Sequence, residues 1–138
     1  MTDEADEAER ELAERARAAQ PHAYAPYSKF PVGAAVRVGG KIYAGVNVEN
    51  ASFPLTVCAE RNAIAAAVLD GARELAAVAV CSNASPPASP CGGCRQVMLE
   101  LAADPAAVTV TSVNPQGERR AWTLAELIPY GFSGRELP

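Results

Sequence analysis

Three of the four cysteines stand where helices are predicted to begin. Cys58 opens one predicted helix, and Cys91 and Cys94 open another as a Cys-x-x-Cys pair. The positive end of a helix dipole stabilises a thiolate, and thiolates are good ligands for zinc. Two such helix ends, meeting at neighbouring strand tips, would hold one ion through three sulfurs and leave the fourth tetrahedral position to water. This pattern favours a catalytic metal site over a structural one.

Glu60 follows Cys58 by two residues. If three sulfurs and a water fill the coordination shell, this carboxylate is free to carry protons to and from the water. On a regular helix, residues two apart point about 200° away from each other, at about 100° per residue. Both side chains can face one ion only if Cys58 lies at the non-helical cap. The pattern therefore predicts that Cys58 is an N-cap residue.

Arg61 comes next in the chain and could act on the sulfurs. Three thiolates and a divalent zinc ion sum to a charge of −1, which weakens the acidity of a bound water. An arginine that donates to the sulfurs from outside the ligand shell would offset this charge. A simple surface ion pair is the alternative role for Arg61.

Asn47 and Glu49 lie at the end of the second of two predicted strands. The stretches 32–38 and 41–48 flank Gly39-Gly40, a dipeptide suited to a tight hairpin. The period-2 alternation of a strand puts Asn47 and Glu49 on one face, with the valines on the other. Two polar side chains on one face could bind a ligand or cap a loop, and both roles stay open.

The remaining pattern predicts the elements that position these groups. Residues 20–31 contain three prolines and are expected to be irregular. The other predicted elements are a helix over 2–19 capped by Thr2, core helices over 59–70 and 91–103, a central strand over 75–81, strands over 107–112 and through Trp122, and a short helix capped by Thr123. This order predicts an α/β fold: a three-layer α/β/α sandwich with a mixed, roughly five-stranded sheet.

Length and composition limit the classes of function. The 138 residues suit one domain spanning 1–138, and an apolar fraction of 49% with 20% charged residues excludes wholesale disorder. Neither a secretory signal nor an apolar run of the ~20 residues of a membrane span is found, so we expect a cytoplasmic protein with reduced cysteines. The net charge of −4 falls within residues 1–19. Without a basic stripe, a small uncharged ligand is favoured over a nucleic-acid polymer or a membrane.

Several motifs together resemble one enzyme family. Cys-Ala-Glu followed by Pro-Cys-x-x-Cys is similar to the signature of zinc nucleobase deaminases, with cysteine in place of the usual histidine. That variation resembles the small homotetrameric cytidine deaminases. Further blocks similar to this family occur in matching order along almost the whole chain: Y-A-P-Y-S-K-F-P-V-G-A-A from Tyr24, N-V-E-N-A-S from Asn47, T-V-C-A-E-R from Thr56, S-P-C-G-G-C-R-Q from Ser89 and L-I-P-Y-G-F from Leu127.

The resemblance implies a reaction and a cofactor. One zinc ion per subunit would be bound by Cys58, Cys91 and Cys94, and a zinc-bound hydroxide would attack C4 of the cytosine ring. Glu60 would shuttle the protons, so that cytidine and 2′-deoxycytidine become uridine and 2′-deoxyuridine with loss of ammonia, a step of pyrimidine salvage.

The resemblance also implies substrate contacts. Asn47 and Glu49 would hydrogen-bond the ribose hydroxyls, and Phe30 would pack beside the base or sugar. The backbone near Ala59 and Ser89 would read the cytosine edge. In a homotetramer, Phe132 would reach the site of a neighbouring subunit. The departures from the family pattern are small: Gly93 replaces the more usual alanine, and Phe53 stands where many relatives have tyrosine.

Three other functions would use parts of the same pattern. A structural zinc site would recruit Cys81 as its fourth ligand, whereas a terminal position in an apolar strand favours packing of Cys81 as a small hydrophobe. A thiol-redox role for the Cys-x-x-Cys pair leaves Cys58 and Glu60 unexplained. A deaminase of a cytosine-bearing antibiotic is expected to lack the Asn-x-Glu pair and Arg61. His22 has no partner spacing and is expected at the surface.

Overall fold

The computed structural model describes residues 3–138, so the predicted cap Thr2 lies outside the described part of the chain. The helices and strands, in chain order, are α1 (Asp3–Ala19), β1 (Gly33–Val38), β2 (Lys41–Val46), α2 (Ala59–Leu69), β3 (Leu75–Cys81), α3 (Gly92–Leu101), β4 (Thr109–Val113), β5 (Arg119–Thr123) and α4 (Leu124–Leu127). Short 3-10 turns lie at Gln20–His22, Phe53–Leu55, Pro105–Ala107 and Gly134–Glu136. Within residues 3–138, no helix combines the length and the apolar character that crossing a membrane requires.

The strands form one five-stranded sheet in the order β2-β1-β3-β4-β5. β1 pairs antiparallel with both β2 and β3, β3 pairs parallel with β4, and β4 pairs antiparallel with β5. The crossover through α3 therefore joins the parallel neighbours, while α2 carries the chain over β1 to β3. The predicted mixed five-stranded sheet is confirmed.

Helices cover both faces of the sheet. On one face, α1 packs through Leu12, Ala13 and Ala16 on a small buried cluster that includes Ala35 and Ala79. On the other face, α2, α3 and α4 pack on a larger core that contains valines of β1, β3 and β4. This arrangement confirms the predicted three layers, and it explains why β3 is apolar on both sides.

A glycine in β2 allows α2 to lie directly on the sheet. A Cβ at Gly45 would lie 2.5 Å from the Ala63 nitrogen and 2.6 Å from the Ala59 oxygen, inside the backbone of α2. The Asn62 side chain also donates to the Val46 carbonyl at 2.8 Å. The close approach fixes the first turn of α2 beside the end of β2.

The predicted second strand is too long by two residues. β2 ends at Val46 rather than Val48, because the chain leaves the β1 ladder there and finds other partners. The Asn47 amide donates to the Val32 carbonyl at 3.3 Å, and Val48 forms isolated bridges with Tyr24 and Val57. The backbone nevertheless stays extended enough to keep the predicted alternation: Asn47 and Glu49 are buried, and Val48 is 45% exposed.

The other boundaries shift by only a few residues. α3 ends at Leu101 instead of 103, where Ala102 becomes extended. β4 starts at Thr109 after a 3-10 turn in which the Asp104 side chain accepts from the Ala106 amide. The predicted capping box of Thr123 with Glu126 is present at the start of α4.

Candidate metal centre and substrate cavity

The three cysteines singled out by their helix positions lie together. Cys58 is the N-cap of α2, with extended dihedral angles of φ −71° and ψ 154°, as the sequence predicts. Cys91 is the N-cap of α3, and its sulfur accepts from the Cys94 amide at 3.5 Å. The Sγ atoms of Cys58 and Cys91 are 3.9 Å apart, those of Cys91 and Cys94 are 3.5 Å apart, and all three lie within 4.8 Å of one another.

This donor set fits zinc. A tetrahedral ion with Zn–S bonds of about 2.3 Å separates two sulfur ligands by about 3.8 Å, close to the measured spacings. Among residues 3–138, no other histidine, cysteine or acidic side chain joins this group. Cys81 is buried in the cluster under α1, on the opposite face of the sheet, where its thiol donates to Gln20 Oε1 at 3.3 Å. The prediction that Cys81 packs as a small hydrophobe is confirmed, and it gives no fourth sulfur.

Neighbouring groups shift the pKa values of two of these thiols in opposite directions. A hydrogen bond from Cys94 and, after it, the Arg61 guanidinium lower the pKa of Cys58 to about 5. The same hydrogen bond with Cys58, together with burial, raises the pKa of Cys94. A divalent cation favours the deprotonated form of every ligating thiol, so binding would release protons.

Arg61 makes the contact that its position predicts. Its Nη2 lies 3.9 Å from Cys58 Sγ and donates to the Thr56 carbonyl at 3.2 Å. Thr56 lies three residues before Ala59, the first residue of α2. The two contacts therefore hold the guanidinium beside the N-terminus of this helix, next to Cys58. A positive charge is thus held beside the sulfurs rather than in solvent.

Glu60 lies in the first turn of α2 and is 5% exposed. Burial raises the pKa of its carboxyl group, and the negative charge of Cys58 raises it further, although a hydrogen bond with Cys94 acts in the opposite direction. A buried carboxyl group beside the sulfur cluster, with a raised pKa, suits a proton carrier. The Glu60 carboxylate is not one of the grouped ligand atoms, which are the sulfurs of Cys58, Cys91 and Cys94.

A cavity of about 470 Å³ opens in front of this cluster. Its wall contains Cys58, Glu60 and Cys91, together with five of the six residues expected to contact substrate: Phe30, Asn47, Glu49, Ala59 and Ser89. Phe132 is not part of this wall. Its ring is 58% exposed, and its carbonyl accepts from Gln96 Nε2 at 2.7 Å.

The Asn47 and Glu49 side chains hold the loop that forms one side of the cavity. Asn47 Oδ1 accepts from the Val32 amide at 2.9 Å, and its Nδ2 donates to the Phe30 carbonyl at 3.0 Å. Glu49 Oε1 accepts from the amides of Tyr27 and Ser28 at 2.9 and 3.0 Å. The loop-capping role left open by the sequence is therefore present, and both side chains still face the cavity.

Hydrogen bonds to Ser28 and Tyr27, with a smaller effect of Lys29, lower the pKa of Glu49. The hydroxyl group of Ser28 contributes most, by donating to Glu49 Oε2. The cavity wall thus carries a negative group at Glu49 in addition to the cation-binding cysteine cluster.

The sequence motifs gave no site role to Ser28, Thr56 or Ser82, which also line the cavity. The sequence carries a usable signal for Ser82, because this polar residue directly follows the apolar residues of β3. In the structure its side chain is buried. Ser28 lies in an irregular stretch where spacing gives no direction for its side chain. His22, by contrast, is exposed, as the sequence predicts.

Arg95 was also not anticipated. Its guanidinium donates to the Pro90 carbonyl at 2.7 Å, to Ser89 Oγ at 2.8 Å and to the Leu127 carbonyl at 2.8 Å. The side chain therefore fixes the loop that carries Ser89 and leads into Cys91. Its position immediately after Cys94 is the signal that could have identified it.

Comparisons with known proteins give a consistent result. Residues 6–111 match the family described as the cytidine and deoxycytidylate deaminase zinc-binding region. The cytidine deaminase of Sporosarcina psychrophila is 44% identical over 127 residues, covering 91% of this chain and 92% of that protein.

Solved structures resemble the whole fold. The crystal structure of cytidine deaminase from Burkholderia pseudomallei has 45% sequence identity and a TM-score of 0.82, and the match covers 96% of this chain and 100% of that chain. The corresponding protein of Mycobacterium tuberculosis has 37% identity and a TM-score of 0.76, with 89% and 95% covered.

Proposed function

The chain belongs to the cytidine and deoxycytidylate deaminase zinc-binding family, and we propose that it hydrolyses cytidine and 2′-deoxycytidine to uridine and 2′-deoxyuridine with release of ammonia. One observation carries this proposal: a single cavity joins the Cys58–Cys91–Cys94 cluster and Glu60 to the polar pair Asn47 and Glu49. The first group suits hydrolysis and the second suits a sugar.

The chemical step needs an acidified water and a proton carrier. Cys58, Cys91 and Cys94 would hold zinc, which would supply the acidification of a bound water. Glu60 accepts the proton of this water and delivers it to N3 of the cytosine ring as the oxygen adds to C4. Glu60 then takes the remaining proton from the hydroxyl group added at C4 and transfers it to the amino group, so the C4–N bond breaks, ammonia leaves and a C4 carbonyl forms.

The unused hydrogen-bonding capacity of Asn47 and Glu49 supports a sugar hydroxyl as their ligand. Glu49 Oε1 already accepts two amide hydrogens, whereas Oε2 accepts only the Ser28 hydroxyl and can take another donor. Asn47 Nδ2 donates only to Phe30 and keeps a second N–H. A hydroxyl group can donate to Glu49 while it accepts from Asn47.

This pairing also supports the choice of substrate class. One hydroxyl satisfies both side chains, so a ribonucleoside and a 2′-deoxyribonucleoside can both be accepted. A phosphate group offers only acceptors and would be repelled by the ionised Glu49. We therefore propose nucleosides, rather than nucleotides, as substrates.

The base would lie between the sugar pair and the sulfur cluster. Ala59 is the first residue of α2, and amide groups in the first turn of a helix have no partner within the helix. Such an amide can donate to a carbonyl on the cytosine edge, with the backbone at Ser89 on the opposite side of the pocket. The Phe30 ring supplies an apolar wall for the base or sugar.

We propose a homotetramer in the cytoplasm, in which Phe132 completes the site of a neighbouring subunit. The exposed Phe132 ring and its carbonyl anchored by Gln96 support a role in a contact between subunits. The exposed rings of Tyr24, Tyr27 and Phe53 are further apolar surface that a neighbouring subunit would cover. A reducing compartment suits a site built on three free thiols.

The test is ultraviolet monitoring of cytidine incubated with the purified protein, before and after removal of zinc by a chelator. We expect conversion to uridine that stops on chelation and returns when zinc is added. Retained zinc without turnover would favour a structural metal site. Faster turnover of cytidylate, or of a cytosine-bearing antibiotic, than of cytidine would overturn the proposed substrate class.

A further inference from the structure

The hydroxyl group of Ser28 joins two parts of the cavity wall. It donates to Glu49 Oε2 and accepts from the Phe30 amide at 3.1 Å. A hydroxyl group has a single proton, and here that proton points at the carboxylate. Ser28 is therefore not a donor for a ligand, although it lines the cavity. Its effect on a ligand must pass through Glu49 and Phe30.

The contacts of Glu49 show what the hydroxyl adds. Two backbone amides, from Tyr27 and Ser28, hold Oε1, and they would hold it whatever side chain stood at position 28. The Ser28 hydroxyl is the contact made to Oε2, the oxygen that has acceptor capacity left. It therefore fixes the plane of the carboxylate and the direction of its free lone pair.

The contact with Phe30 links this direction to the apolar wall. Because the hydroxyl also accepts from the Phe30 amide, the backbone that carries the ring is positioned relative to the Glu49 carboxylate. Asn47 Nδ2 binds the carbonyl of the same residue from the other side. Phe30 is thus held at its amide by Ser28 and at its carbonyl by Asn47.

We propose that Ser28 is a positioning residue for nucleoside binding: its hydroxyl group orients the Glu49 carboxylate and the Phe30 backbone toward the sugar. This inference rests on the proposed function, because it assigns Ser28 a part in the same site. A positioning role predicts that Ser28 changes the affinity for the nucleoside. A residue that only stabilises the turn would change the free energy of unfolding without a selective change in substrate affinity.

The test is steady-state kinetics with cytidine on the zinc-loaded enzyme and on Ser28→Ala, Ser28→Thr, Glu49→Ala and the double variant Ser28→Ala/Glu49→Ala. Loss of one hydrogen bond to a charged group should raise the KM of Ser28→Ala about tenfold, with a much smaller change in kcat. Ser28→Thr keeps the hydroxyl and should restore most of the affinity. In the Glu49→Ala background, removal of the hydroxyl should raise KM by a smaller factor, since only its contact with the Phe30 amide remains.

Ser85 provides a matched control. Its hydroxyl also donates to a carboxylate, Glu118 Oε1 at 2.5 Å, and neither residue lines the cavity. Ser85→Ala should therefore leave the KM for cytidine unchanged. Thermal melting and zinc content, measured on every variant, separate altered binding from partial unfolding.

The outcomes distinguish the two proposals. Wild-type activity with an unchanged KM in Ser28→Ala overturns the inference alone. The same holds if Ser28→Ala raises KM equally with and without Glu49, because the hydroxyl would then not act through that carboxylate. A zinc-loaded wild-type chain that does not deaminate cytidine overturns the proposed function, and the inference falls with it.

Discussion

The two ends of the cavity are built in different ways. At the metal end, Cys58, Glu60, Cys91 and Cys94 all lie at the first residues of two helices that pack on the sheet. In the other part, called the sugar end because we propose that it binds the sugar, Asn47 and Glu49 follow the end of β2 and hold an irregular loop through side-chain hydrogen bonds.

This difference separates two kinds of function. Helix N-termini give the sulfurs fixed directions and a favourable field, so the metal end is organised for the chemical step. At the sugar end, each polar side chain first completes the fold of the loop and offers its remaining hydrogen-bonding capacity to a ligand. Substitutions at the metal end should therefore lower kcat or metal content, and those at the sugar end should raise KM.

The largest effect is expected for Glu60→Gln. The amide keeps the shape of the side chain but cannot carry a proton, so kcat should fall by at least about a thousandfold. Zinc content and the melting temperature should stay close to the wild-type values, which metal analysis and thermal melting measure. A nearly normal rate would remove Glu60 from its assigned role.

Glu49→Ala should have a smaller effect that appears in KM. Loss of a charged hydrogen-bond acceptor for the sugar should lower kcat/KM for cytidine by roughly 10- to 100-fold. Free cytosine, which has no sugar, should be affected much less if it is turned over. Equal losses of kcat/KM for both compounds would contradict a sugar contact by Glu49. They would also remove the functional difference between the two ends.

Arg61→Gln should reduce activity by about tenfold, the lower part of the range for groups that support metal ligands. The positive charge beside Cys58 would be lost, so the sulfur cluster would carry more net negative charge. The measurement is kcat together with zinc affinity by competition with a chelator. An unchanged kcat and an unchanged zinc affinity would mean that Arg61 only holds the Thr56 carbonyl in place.

Cys81→Ala should have the smallest effect, and Cys94→Ala provides the comparison. Cys81 packs in the cluster under α1 and also donates to Gln20, so its loss should cost about 2 kcal/mol in the free energy of unfolding. Zinc content and kcat/KM should not change. Cys94→Ala should abolish stable zinc binding. Loss of zinc from Cys81→Ala would instead support a structural zinc site with four sulfur ligands.

The same contrast explains what the sequence could predict. The metal end depends on spacings of two and three residues at helix starts, and local geometry converts such spacings directly into directions. The requirement that Cys58 lie at a cap followed from this reasoning, and the structure has it there. The hairpin, the buried β3 and the capping box of α4 were predictable for the same local reason.

The sugar end was predictable only in part. Alternation placed Asn47 and Glu49 on one face, but their partners lie 15 to 22 residues away in a loop without periodicity. For this reason neither the role of Ser28 nor the early end of β2 could be obtained from spacing. Gly45 is a similar case, because its need for a glycine arises from α2, which packs on it only in the folded chain.

X-ray absorption at the zinc edge tests the central claim most directly, because it reports the ligands of the bound ion. We predict three sulfur ligands at about 2.3 Å and one oxygen ligand at about 2.0–2.2 Å. Loss of Cys94 should change this shell, whereas loss of Cys81 should not. A shell of four sulfurs, or one in which a protein nitrogen replaces the oxygen, would contradict a water-bearing catalytic site.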